Sequence, residues 1–307
     1  MKNNKFLILF KAWRVEQWSK NLLVFSAPLF TFQFSNYQIW IITCYTFLSF
    51  CLVSSSIYLI NDIVDAEADK KHPVKKFRPI ASGLLSKSNA LIFSFVLACL
   101  SLIIASSINI LLIGVISIYL LIQITYSFKL KNKPLLDIQC IASGFLLRAM
   151  AGGIASGVYL SPWFLLTVWL ISLFLAVEKR KAELIISEKQ VFTSRKVLRR
   201  YSLPFLKKIE TIAVTSAFIT YCLWAAGPLL NGAKTSWMLT TVPVVLTGIL
   251  RYQLVSDEFY SKDSYQENIN GSPERPEKVI FHDKGILYIM MIWFSIVILI
   301  VFLLFIS

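Results

Sequence analysis

Asp62, Asp65 and Asp69 stand at i, i+3 and i+7, directly behind an apolar run that ends Val53-Ser54-Ser55-Ser56-Ile57-Tyr58-Leu59-Ile60. On a helix that spacing puts the three carboxylates in one stripe and turns Glu67 away from it. Carboxylates at a membrane boundary are costly to desolvate, so they usually have a cation partner or a function. With Asn61 beside them they make a hard-oxygen site suited to Mg²⁺, which leaves coordination positions for phosphate oxygens. The competing reading is a solvated helix end that happens to be acidic. The residues that follow weigh against it. Lys70, Lys71, His72, Lys75, Lys76 and Arg78 come next, then Pro79-Ile80-Ala81-Ser82-Gly83. An acidic metal site beside a basic loop suits a substrate with a diphosphate at one end and further phosphate nearby.

Three other places carry chemistry. Arg148 lies deep in an apolar stretch, eleven residues and three helical turns after Asp137, with Gly144 between them on the same face. A guanidinium there should face a cavity, an ion pair or a phosphate, and a structural salt bridge competes with the phosphate reading. In Trp13-Arg14-Val15-Glu16-Gln17-Trp18-Ser19-Lys20-Asn21, tryptophans interleave with basic residues. Anchoring in the headgroup layer and contact of Lys20 and Asn21 with a lipid phosphate are both open for it. In Glu178-Lys179-Arg180-Lys181-Ala182-Glu183, Glu183 is i+4 from Lys179 and i+3 from Arg180. That suits a solvated salt-bridge cluster, or cations that grip phosphate directly. Tyr126 reads as an interfacial belt residue, and Lys129, Lys131 and Lys133 as determinants of membrane orientation. Cys44, Cys51, Cys99, Cys140 and Cys222 form no CxxC pair, and His72 and His282 are far apart. They point neither to a disulfide framework nor to a soft-metal site.

The elements that must position these residues are membrane helices. Of 307 residues, 56% are hydrophobic and only 16% charged, against about a quarter charged in soluble domains. Apolar runs long enough to cross a bilayer recur, and the expected spans are 22–36, 38–60, 89–106, 108–128, 135–156, 162–178, 209–227, 236–255 and 285–306. The first is short and is interrupted by Pro28. Residues 1–21 are expected as an interfacial arm and 257–284 as a polar cytoplasmic loop, all within one integral-membrane domain. No cleavable signal pattern opens the chain. The net charge of +14 does not indicate nucleic acid, because 29 of the 31 Lys and Arg residues fall in the N-terminal arm and in alternate connections. Lys234 and Arg148 are the other two. The positive-inside rule then sets the N-terminus and those connections in the cytoplasm and the C-terminus outside, with an odd number of spans. Membrane lipid is an expected partner, and self-association into a homo-oligomer is compatible with this pattern.

Asn61-Asp62-x-x-Asp65-x-x-x-Asp69, with Arg78-Pro79-Ile80-Ala81-Ser82-Gly83 behind it, resembles the first aspartate-rich motif of the UbiA superfamily of intramembrane prenyltransferases. The stretch from Arg14 to Asn21 resembles the Arg-Pro-x-Gln-Trp-x-Lys-Asn opening of one branch, which transfers phosphoribosyl to decaprenyl phosphate, although Val15 replaces the usual proline. Ser143-Gly144-Phe145-Leu146-Leu147-Arg148-Ala149 with Ala151-Gly152-Gly153 resembles the same branch. So do Lys179, Arg180 and Glu183, which stand where prenyl-diphosphate-using members carry a second aspartate-rich motif. The resemblance covers most of the chain. It implies an all-α polytopic bundle of about nine spans around a cavity open to cytoplasm and lipid, in a bacterial plasma membrane.

The reaction it implies is Mg²⁺-dependent transfer of 5-phosphoribosyl from phosphoribosyl pyrophosphate to a polyprenyl phosphate, with release of pyrophosphate. Asp62, Asp65 and Asp69, with Asn61, become metal and catalytic residues. Lys75, Lys76, Arg78, Lys179, Arg180 and Glu183 become candidates for the donor, and Lys20, Asn21 and Arg148 for the lipid phosphate. Tyr126, Lys129 and Asp137 are further site candidates without an assigned role. A prenyltransferase acting on an aromatic acceptor is the alternative, and the missing second aspartate motif counts against it. A transporter or flippase would show inverted repeats or broken helices, and neither is visible.

Overall fold

Long apolar runs with polar interruptions only at their ends become helices, because in lipid a helix satisfies its own backbone. In the computed structural model, which describes residues 5–72, 74–189, 197–261, 279–280 and 282–306, no strand occurs among the described residues. In order come α1 (Lys5–Trp13), a 3-10 helix (Val15–Phe25), α2 (Ser26–Phe30), α3 (Tyr37–Lys70), α4 (Lys87–Ile108), α5 (Ile110–Phe128) and α6 (Leu136–Ser156). Then follow α7 (Pro162–Lys189), α8 (Leu203–Ala225), α9 (Val242–Ser261) and α10 (Lys284–Ile306). The chain divides into two compact units, Met1–Leu160 and Ser161–Ser307.

Among the described residues, seven helices are long and apolar enough to cross a membrane: those at Tyr37–Lys70, Lys87–Ile108, Ile110–Phe128, Leu136–Ser156, Pro162–Ile186, Ser236–Asp257 and Lys284–Leu304. The expected number of nine is not confirmed on this measure, for two physical reasons. The expected span 22–36 is no regular α-helix, since it is divided among the end of the 3-10 helix, the five residues of α2 and a turn. The expected span 209–227 lies largely in α8, whose first turns bring in Lys207, Lys208 and Glu210. The expected loop 257–284 falls mostly outside the described residues.

The first unit is built on α3. Ser49 and Ser101 exchange hydroxyl-to-carbonyl bonds of 2.9 Å, and Ser56 and Ser94 do the same at 2.8 and 3.0 Å. Paired in that order, seven residues apart on each helix, they set α3 and α4 antiparallel at close range, as small residues do in membranes. Phe50, Val53 and Ile57 of α3 pack with Leu112, Val115, Ile116 and Tyr119 of α5 and with Leu147, Ala151 and Ala155 of α6.

The N-terminal arm packs against the bundle. Trp18 Nε1 donates to Ser55 Oγ at 3.0 Å, and Asn21 and Val24 are fully buried. A Cβ at Gly152 of α6 would collide with the Val24 carbonyl, so this glycine is what admits the 3-10 helix to the groove. Runs of 3-10 helix beyond three or four residues are uncommon. At a rise of about 2.0 Å per residue this one, continued by α2, reaches roughly 30 Å. That is about a bilayer core's thickness from somewhat fewer residues than an α-helical span needs.

In the second unit α7 and α8 meet through Thr167 and Thr220 at 2.9 Å and through the rings of Phe164 and Trp224. Tyr221 of α8 bonds Thr241, at 2.6 Å, and the indole of Trp293 in α10, at 3.0 Å.

Candidate active site

α3 continues unbroken past the apolar region to Lys70, so Asp62, Asp65 and Asp69 do form a stripe on one helix. Glu67 faces away, exposed, and pairs with Lys70 and Lys87 at 3.1 Å. Each carboxylate of the stripe is met by a cation. Arg78 Nη1 donates to Asp69 at 2.6 Å and to Asp62 Oδ1 at 3.1 Å, bridging the two. Lys131, from the turn after α5, pairs with Asp65. Arg14, from the junction of α1 and the 3-10 helix, pairs with the same Oδ1 of Asp62 that Arg78 holds. Three carboxylates and three cations therefore come together from four separate stretches of chain.

Sequence reasoning placed Arg78 here but missed Arg14 and Lys131. Lys131 was assigned to membrane orientation, and Arg14 had no role beyond its place in a tryptophan-flanked arm. Pairings across 48 and 66 residues leave no periodic trace. Asn61 stands half-buried beside the stripe. Lys76 is exposed, 5.1 Å from the centre of the Phe77 ring, and Lys75 is half-buried in the same turn. His72 Nδ1 accepts the backbone N–H groups of Val74 at 3.2 Å and Lys75 at 3.3 Å, which requires an unprotonated Nδ1. Burial and the neighbouring Lys75 push the imidazole pKa below its ordinary value, consistent with the neutral ring.

No three His, Cys, Asp or Glu side chains converge as a metal cage among the described residues. The donor set nevertheless suits Mg²⁺. It consists of hard carboxylate oxygens in one stripe, two of which lie near enough to share a single guanidinium.

A second cluster lies deeper in the same unit. Arg148 is buried and donates to Asn21 Oδ1 at 2.7 Å, to the Gly144 carbonyl at 2.7 Å and to the Tyr119 hydroxyl at 3.0 Å. The rings of Phe50, Tyr119 and Phe145 surround it at 5.0–5.9 Å. It has no carboxylate partner among the described residues, which removes the structural salt bridge as an explanation. The structure thus joins Asn21 and Arg148, two of the three lipid-phosphate candidates. Lys20 is half-buried on the same 3-10 helix. Asp137 is fully buried at the other end of α6, Tyr126 is half-buried and Lys129 exposed.

The remaining candidates belong to the second unit. Arg180 is fully buried and paired with Glu183 at 2.5 Å, so this pair is enclosed rather than solvated. Lys179 is half-buried. Sequence reasoning missed the neighbouring cluster. Lys181 bonds Glu178 at 2.7 Å and Glu210 of α8 at 2.6 Å, and Gln253 of α9 bonds Glu210 at 3.1 Å.

The sequence profile of the UbiA prenyltransferase family matches residues 22–266. The chain belongs to that family. As a UbiA family member with several apolar helices of spanning length, it is an integral membrane protein. Among curated relatives, the decaprenyl-phosphate phosphoribosyltransferase of Mycolicibacterium smegmatis is 37% identical over 93% of this chain and 89% of its own length. The enzyme of the same name from Corynebacterium glutamicum is 35% identical over 93% of this chain and 84% of its own. Among solved structures, a UbiA homologue from Archaeoglobus fulgidus bound to GPP and Mg²⁺ superposes with a TM-score of 0.68. That match covers 94% of this chain and 99% of the other at 18% identity, and it supports the fold alone.

Proposed function

We propose that this UbiA family protein transfers 5-phosphoribosyl from phosphoribosyl pyrophosphate to a polyprenyl phosphate and releases pyrophosphate. The observation that carries the reading is the alignment, along nearly the whole chain, with curated decaprenyl-phosphate phosphoribosyltransferases. The cation-lined acidic stripe is what such a reaction needs from the protein. Asp62, Asp65 and Asp69, with Asn61, would hold Mg²⁺, which when bound offsets the charge that builds on the departing diphosphate.

Arg78 and Lys131 set further positive charge beside that diphosphate. Positive charge develops at C1 of the ribose, and an oxygen of the acceptor phosphate, anionic at neutral pH, forms the new C–O bond as the C–O bond to pyrophosphate breaks. No general base is needed. Lys179, Arg180 and Glu183 are the further candidates for holding donor phosphate. Arg148, a buried guanidinium with neutral partners, and Asn21 are the candidates for the lipid phosphate, with Lys20 beside Asn21 on the 3-10 helix.

The active site faces the cytoplasm of a bacterial plasma membrane in this reading, with Ser307 outside. Reporter fusions at the two ends are expected in different compartments, and the same compartment for both would refute that orientation.

The reaction is tested with radiolabelled phosphoribosyl pyrophosphate and polyprenyl phosphate in detergent, with and without Mg²⁺. Label is expected in the lipid only with the metal. Transfer from geranyl or farnesyl diphosphate to 4-hydroxybenzoate, with none from phosphoribosyl pyrophosphate, would overturn the reading in favour of an ordinary prenyltransferase.

A further inference from the structure

Arg14 is held in an unusual way. Its backbone is left-handed, φ 52° and ψ 50°, a conformation that costs a residue with a Cβ on the order of 1 kcal/mol. The chain is pinned on both sides of it by one hydroxyl. Ser55 of α3 donates to the Trp13 carbonyl at 2.9 Å and accepts from Trp18 Nε1 at 3.0 Å. Beyond Trp18, Asn21 is tied to Arg148 and Ser54. The backbone is therefore fixed on α3, and the freedom that remains belongs to the Arg14 side chain. That side chain reaches back along α3, passing over the ring of Tyr58 at 5.2 Å and ending on Asp62.

The carboxylate it meets already has a cation. Asp62 Oδ1 takes Arg78, and Arg78 also holds Asp69. Arg14 is thus the second guanidinium on one oxygen, and it lies close enough to Arg78 for the two to repel. With three cations against three carboxylates the cluster is neutral only while all three carboxylates are counted. Once a divalent cation shares the stripe the balance is two charges too positive. The guanidinium with the shortest list of partners then gains most by turning to an anion. The diphosphate that accompanies the metal is that anion.

We propose that Arg14 is an exchangeable counter-ion. It neutralises Asp62 while the stripe is metal-free, and it transfers to the diphosphate oxygens when Asp62 is given over to a divalent cation. This rests on the reading of the stripe as the metal site. It assigns to the N-terminal arm a part in holding the donor that neither anchoring nor lipid contact would give it.

The test uses the full chain in detergent without the lipid acceptor. Mn²⁺ binding, a spectroscopic stand-in for Mg²⁺, is followed by electron paramagnetic resonance. Pyrophosphate binding in saturating Mn²⁺ is followed by calorimetry. Arg14→Gln removes a competitor of the metal, so Mn²⁺ is expected to bind about fivefold more tightly, the worth of a partly exposed ion pair. Pyrophosphate is expected to bind about tenfold more weakly, from one lost charge-assisted contact. Arg14→Lys, which keeps the charge on a shorter arm, should shift both values in the same directions by less, and it carries the test if the glutamine variant does not fold. Unchanged or weaker Mn²⁺ binding in a folded variant, or unchanged pyrophosphate binding, overturns the exchange and leaves the metal site standing. No Mn²⁺ binding by the unaltered protein removes the metal-site reading itself, and the exchange with it.

Discussion

The acidic stripe of α3 and the charged end of α7 use the same side chains in opposite ways. In the stripe the carboxylates are largely buried, but their cations reach in from outside α3 and stay partly exposed, 21% for Arg14 and 26% for Arg78. At the end of α7 the cation is enclosed: Lys181 is 3% exposed, and Glu178 is one helical turn away on the same helix. A long side chain anchored elsewhere can change partners at the cost of one contact. A lysine sealed between two carboxylates leaves an uncompensated buried charge if it moves. The first arrangement can bind something else in place of its counter-ions, whereas the Lys181 cluster holds helices together. What separates a site from a strut here is the origin and exposure of the cations.

The sharpest way to break this comparison is to remove the enclosed cation. Lys181→Met should cost about 3–5 kcal/mol of stability, because Glu178 and Glu210 lose their shared partner inside the bundle. Thermal unfolding in detergent is expected to shift down strongly. Adding Glu178→Gln and Glu210→Gln should return most of the loss, since no unpaired charge then remains. If Lys181→Met melts like the unaltered protein but has lost turnover, the cluster is part of the site and the contrast fails.

The reverse signature is expected in the stripe. Asp62→Asn, Asp65→Asn and Asp69→Asn should each lower turnover by about a hundredfold or more, beyond what loss of a group that only orients a metal ligand costs, with little change in melting. Glu67→Gln should stay within about twofold, because its partners are exposed and such pairs contribute little. Equal sensitivity of Glu67 and Asp65 would mean that the face of the helix does not matter, against the geometry of α3.

What the sequence disclosed follows from range. The i, i+3, i+7 stripe and the outward turn of Glu67 are properties of one helix, and a 3.6-residue period suffices to place them. Arg78 was within reach because it follows the stripe closely in the chain. Arg14 and Lys131 arrive across tertiary contacts that no period encodes. Arg148 was rightly singled out as a deep guanidinium, but its neutral partners come from three helical segments, so the choice between salt bridge and cage had to wait for the structure. The expected span 22–36 misled for a different reason. Its apolar residues and Pro28 suit a short span, whereas the close approach of the 3-10 helix to α6 needs Gly152 to leave room for the Val24 carbonyl. Burial of Arg180 and Lys181 was equally hidden, since consecutive charges read as solvated until α8 and α9 are packed on them.

A smaller effect separates two neighbours on α7. Lys179→Ala is expected to raise the apparent KM for phosphoribosyl pyrophosphate about tenfold, the loss of one charge-assisted contact, with the acceptor's KM changed much less. Arg180→Ala should do the same and also lower the melting temperature, because Glu183 loses an enclosed partner. Measuring both parameters for both variants tells binding from support. If Lys179→Ala changes only the melting temperature, the whole end of α7 is structural.

The smallest effect expected is at the head of α10, where a charge pair has neither the enclosure of Lys181 nor the convergence of the stripe. Asp283 accepts from Arg251 of α9 at 2.9 and 3.1 Å and caps the helix by accepting the Ile286 N–H at 2.8 Å. The Arg251 guanidinium holds the Asp283 carboxyl below its ordinary pKa. A carboxylate lowered in the folded state stabilises above its unfolded pKa, and that contribution fades as the pH falls through the folded value. Asp283→Asn keeps a cap of similar strength and removes only the charge, so at neutral pH it should cost no more than about 1 kcal/mol, given that Arg251 is 39% exposed. The difference from the unaltered protein should shrink in high salt and fade as the pH falls below the usual carboxylate range and through the lowered folded value. A melting difference undiminished at pH 3 would show that Asp283 acts through something other than its charge, and that even a partly exposed pair in this unit belongs with the enclosed ones.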